Sequence, residues 1–145
     1  MITRLSAVFA AGCLGGLATV ITLFLFGFIG ISGAMGVALA PPLKPPMIYS
    51  FMIWGGIWGF LFFLFPLRRL NLFLRGLLFS IGPTIIECLV VLPLKMHAGW
   101  GGVHLGMWTP VLVVIFNAVW GITTAFWLTL QDSGVIATGR GRTTS

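Results

Sequence analysis

Apolar residues run along this chain in long blocks, not in the short alternation of strands. Between Leu5 and Leu43 there is no charged residue. A bilayer span needs about 20 apolar residues, so this stretch is nearly twice too long for one span and too short for two with a loop. The pattern predicts a first helix over about 5–28, then an apolar, glycine-rich connection from Gly30 to Ala40. Pro41, Pro42, Pro45 and Pro46 halt any helix there. A second, short span over about 49–65 stops at Pro66. In the basic connection that follows, Leu67, Leu70, Phe73 and Leu74 recur at near-helical spacing between Arg68, Arg69 and Arg75. That suits a turn in the headgroup layer with its arginines reaching phosphate. A third span over about 76–94, a second glycine-rich loop and a fourth span over about 110–130 complete the set, with Pro110 suited to a helix first turn.

The fold class is therefore an all-α integral membrane protein of about four transmembrane helices. Residues 1–130 form one four-span domain, and 131–145 form a polar tail. The two apolar, glycine-rich loops are re-entrant or interfacial; Gly27, Gly30, Gly33 and Gly36 recur every third residue in the first. Backbone without helix is tolerated at membrane depth only where protein or water covers it.

Composition agrees. Of 145 residues, 59% are hydrophobic and 7% charged, against roughly 25% charged in soluble domains. Lipid is the natural solvent. Arg4 and the run Ala10-Ala11-Gly12-Cys13 faintly mimic a cleaved leader, but the apolar run continues past them, so an uncleaved first span is expected. Cys13 and Cys88 fall in different spans and are expected to be free thiols.

The net charge of +6 would suggest nucleic acid in a soluble protein. Here the basic residues sit at the ends of apolar runs, so nucleic acid is excluded and the charges read as topology determinants. Four spans place Arg4, Arg68, Arg69, Arg75, Arg140 and Arg142 on one side and Lys44 and Lys95 on the other. The positive-inside rule then puts both termini in the cytoplasm, in a prokaryotic cytoplasmic (inner) membrane. Arg68, Arg69 and Arg75 are expected to meet anionic lipid headgroups. Tyr49, Trp54, Trp100 and Trp108 lie near the predicted outer interface and Trp127 near the inner one. Trp54-Gly55 is echoed by Trp120-Gly121, which raises the idea of two related halves.

Glu87 is the one acid within a span. An ionised carboxylate there is costly unless paired or hydrated, so Glu87 is protonated, bonded inside the bundle or turned to a wet cavity. Ser80, Thr84, Glu87 and Val91 share a helical face, and Pro83 beside them favours a kink. Asn117 counts to the same depth and shares a face with Gly121 and Thr124. The candidate membrane-embedded polar site is thus Glu87, Asn117, Ser80, Thr84 and Thr124, read either as a proton or cation site or as helix glue. Gly12 and Gly16 on the first span, and Gly55 and Gly59 on the second, form small-residue ridges for close helix packing, within the bundle or with another subunit.

His97 and His104, with Met96 and Met107 nearby, lack the cysteine or carboxylate company of a metal site, so they read as surface residues. No metal or cofactor is expected. No phosphate loop, nucleophile set or carboxylate pair is present, and an enzyme is not expected. Three functions remain open. The first is a non-enzymatic structural or accessory protein packing laterally with itself or with other membrane subunits. The second is a small transporter or channel using Glu87 and Asn117. The third is a binder of lipid, quinone or haem.

Overall fold

The computed structural model describes residues 1–65, 67 and 69–140; Pro66, Arg68 and Arg142, which bear on the expected span end and charge bias, lie outside the described residues. Every element among the described residues is helical. In order these are α1 (Ile2–Ile29), α2 (Ile31–Ala34), α3 (Pro45–Gly59), α4 (Leu61–Leu64) and α5 (Leu72–Ile86). A π-helix (Glu87–Lys95), a 3₁₀ helix (Trp100–Leu105) and α6 (Thr109–Arg140) follow. Four stretches are long and apolar enough to cross a bilayer: Ile2–Ile29, Pro45–Leu64, Leu72–Lys95 and Thr109–Gly134. They point to a membrane protein.

The helix ends follow local chemistry. Gly30 closes α1 in the left-handed region, φ 89°, which a side chain would resist. The second helix starts at Pro45, four residues before the expected 49, so Pro45 and Pro46 belong to its first turn and not to the connection before it. Proline suits a helix's first turn, where its missing N–H has no partner to lose, and Lys44 before it is extended. The Asn71 side chain caps α5 by accepting from the Leu74 N–H at 2.8 Å. At the other end of the chain, α6 continues past the expected end of the fourth span to Arg140, so the first ten residues of the polar tail are helical.

The helices are arranged in a row, α3–α1–α6–α5. In the most apolar stretch of α1 and of α6, 44% of residues are buried, against 22% in the two outer spans. The central pair therefore forms the core. At the α1–α3 crossing, a Cβ on Gly12 would strike the Gly55 carbonyl, one on Gly16 the Phe51 carbonyl, and one on Gly59 the Val8 carbonyl. Thus the two glycine ridges face each other within one chain. The α5–α6 crossing rests on a pair the sequence reading left unpaired: Gly76 against Gly121. Small residues matter here because lipid supplies no hydrophobic drive between helices; close van der Waals contact does that work.

Trp120 pins the crossing. It is 3% exposed, and its indole N–H lies 3.2 Å from the Gly12 carbonyl and 3.3 Å from the Gly55 carbonyl. One donor on α6 thus reaches both α1 and α3. Its partner in the expected repeat, Trp54, is 58% exposed. The two Trp-Gly pairs occupy different environments.

The two connections, 30–44 and 96–108, meet at one end of the bundle. The Ala38 N–H donates to the Leu105 carbonyl at 2.7 Å, and Val37 packs on Leu23, Leu112 and Phe116. The opposite end carries Arg4, Arg75 and Asp132 around a small recess of about 50 Å³. Arg75 is turned into this end of the bundle. It is 9% exposed, donates to the Ala125 carbonyl at 3.3 Å and lies 5.5 Å from the centre of the Phe62 ring. A carbonyl and a ring face within reach both suit a guanidinium.

Candidate functional site: a cavity between the outer spans

The third span changes its winding halfway. Pro83 and Pro93 both lack the N–H that the helical ladder needs. Beyond Ile86 the backbone widens into the nine-residue π-helix. At its end the Met96 N–H donates to the Val91 carbonyl five residues back, at 3.1 Å. π-Helical turns are rare and recur at functional sites. Glu87 is the first residue of this segment.

At the end nearer the termini, the second span (α3 and α4) and α5 close on each other. The Phe62 and Phe79 rings are 4.4 Å apart, and Trp58 lies over Gly82. Toward the loop end they diverge. The space between them is a cavity of about 600 Å³, bounded by α1, α3, the third span and α6. Its walls are mainly apolar, with Trp54, Trp58, Ile86, Val90 and Leu94 among them. Trp54, Ile86, Val90 and Leu94 remain 42–67% exposed, so one side is open.

The polar part of the wall is small. Asn117 Nδ2 donates to Glu87 Oε2 at 2.9 Å and to the Val113 carbonyl at 3.1 Å. Both of its N–H bonds are thereby engaged. Thr19 and Ser50 add hydroxyls, and Lys95 and Met96 stand at the loop end. Thr19 itself bonds to the Gly15 and Phe116 carbonyls.

Glu87 and Asn117 are therefore brought together on the cavity wall, whereas Ser80, Thr84 and Thr124 are not. Ser80 donates to the Leu77 carbonyl, Thr84 to Ser80 and Thr124 to Trp120, each at 2.7 Å. Such back-bonding to the preceding turn satisfies a hydroxyl where water is excluded. Cys13 and Cys88 are free thiols. His97 and His104 are exposed and not on this wall.

Sequence reasoning missed the aromatic side of the cavity. The signal was present: Ser50, Trp54 and Trp58 are spaced four apart and form one stripe on α3. Fold and cavity together define a small α-helical membrane protein with an intramembrane polar pair. No protein-family pattern, curated protein or solved structure matches the chain.

Proposed function

We propose that this chain is a small membrane transport protein whose cargo binds in the cavity between the second and third spans. The observation that carries this reading is the convergence of a roughly 600 Å³ space on the Glu87–Asn117 pair. That volume lies within the range of about 300–1,000 Å³ typical of small-molecule sites. A Glu–Asn pair serving only as helix glue has no need of open space beside it. An acid within a span is functional by default, and broken helices at membrane depth commonly hold transported substrates. The reading involves binding and passage, without covalent chemistry.

Native mass spectrometry of protein extracted in lipid discs tests it. The expected result is a small-molecule adduct in the wild type that is lost in Val90→Trp, which narrows the cavity. The second reading, an accessory subunit, is favoured by the exposed apolar residues along the open side. A co-extracted protein subunit and no small-molecule adduct would establish that reading instead.

The orientation we propose has both termini in the cytoplasm of a prokaryotic inner membrane, with Lys44 and Lys95 outside and Arg69 at the inner headgroups. It rests on the basic residues gathered toward the termini end. A cysteine introduced by Ser145→Cys should resist an impermeant maleimide in intact cells and react in inverted vesicles. Labelling in intact cells would reverse the assignment.

A further inference from the structure

We infer that the cavity selects a lipophilic monovalent cation, held by Glu87 and Asn117 with its apolar body against the tryptophans. This rests on the proposed cargo site and names the class of molecule that fits it.

The argument is an inventory of donors and acceptors. Asn117 can donate two hydrogen bonds, and both are committed within the protein, to Glu87 Oε2 and the Val113 carbonyl. What the pair has left are oxygens. Neither Glu87 Oε1 nor Asn117 Oδ1 has a hydrogen-bond donor among the described residues, and neither is sealed from the cavity. An anion placed there meets only like partial charge. A neutral apolar body leaves both oxygens unmatched in a site with little water. A cation satisfies them and gains the strength of a charged interaction.

The rest of the wall suits the rest of such a molecule. Trp54 and Trp58 offer indole rings, the best aromatic partners for a cation, and apolar surface besides. Lys95 is the other charged residue on the wall. It lies eight residues along the third span from Glu87, at the loop end, so a cation at Glu87 sits deeper than the lysine. Lys95 at the mouth and Glu87 within also make the open side, between α3 and the third span, the easier way in for a cation already dissolved in lipid.

The test compares three probes of similar shape and different charge: tetraphenylphosphonium, tetraphenylmethane and tetraphenylborate. Binding is read from the protein's tryptophan fluorescence in phosphatidylcholine nanodiscs. The phosphonium, which has no hydrogen-bond donor and is drawn by charge and by the indole faces alone, should bind roughly tenfold more tightly than the other two, the range a cation over a tryptophan contributes. Glu87→Gln should erase that preference and leave the melting temperature unchanged, since glutamine keeps an acceptor for Asn117. Should the variant fail to fold, the probe series in the wild type decides alone. Equal binding of tetraphenylmethane and the phosphonium overturns the charge selectivity and leaves the cargo site standing. Tightest binding of tetraphenylborate also overturns it. No fluorescence response to any of the three overturns both the selectivity and the cargo site.

Discussion

Trp120→Ala is expected to unfold this protein in mild detergent at temperatures where the wild type is stable. The side chain is 3% exposed and packs edge-on against Phe62, ring centres 6.1 Å apart. Emptying such a position costs about 3–5 kcal/mol, the usual loss for a large aromatic cut to alanine. The same change removes the donor that reaches from α6 to carbonyls on α1 and α3. Trp120→Phe separates the two effects. It keeps most of the volume and loses only the N–H, and so should cost about 0.5–2 kcal/mol. Thermal melting followed by size-exclusion chromatography measures both. An alanine variant that melts within a degree or two of the wild type would show that the three helices are held elsewhere.

Acid should release a bound phosphonium from the wild type. In the proposed site the carboxylate of Glu87 takes either a proton or the cation, so each proton bound at low pH would displace a ligand. By linkage the affinity can fall by as much as about tenfold per pH unit where the carboxyl is titrating. Glu87→Gln should show a flat profile across the same range. Cys88, its neighbour in the chain, and Lys95 on the same wall are the other titratable groups close by. Lys95→Gln and Cys88→Ala should therefore leave the acid release in place. A pH response that survives Glu87→Gln would move the coupling to another group.

Much of the architecture is legible in the sequence, for a physical reason. In lipid a helix must satisfy its backbone alone, so charge-free runs between prolines and arginines outline the four long helices. Depth is legible too. Counting from Arg75 and from Pro110 places Glu87 and Asn117 at one level, and the structure has them hydrogen-bonded. The order of the helices in the row is a different matter. A soluble helix shows its buried face by polarity, but a membrane helix is apolar all round. Only small residues mark the contacts, and twenty glycines offer many candidate pairs. Gly76 against Gly121 stands out only once the crossing is seen. The partners of Arg75 and of the hydroxyls are not legible for a shared reason: long or short, a polar side chain takes a nearby carbonyl, which sequence spacing across helices does not reveal.

The open side of the cavity changes what an affinity means for this protein. Trp54, Val90 and Leu94 are exposed on that side, so a cargo of the proposed kind would arrive by diffusion in two dimensions within the bilayer. A lipophilic cation partitions strongly into the bilayer, and its concentration beside the groove far exceeds that in the surrounding water. The proposed site would then have little work to do beyond choosing: weak intrinsic binding would be enough to fill it, and fast dissociation would follow from the same weakness. Apparent dissociation constants will scale with the lipid-to-protein ratio of the preparation. The quantity to compare between variants is the mole fraction of ligand in the membrane at half-saturation.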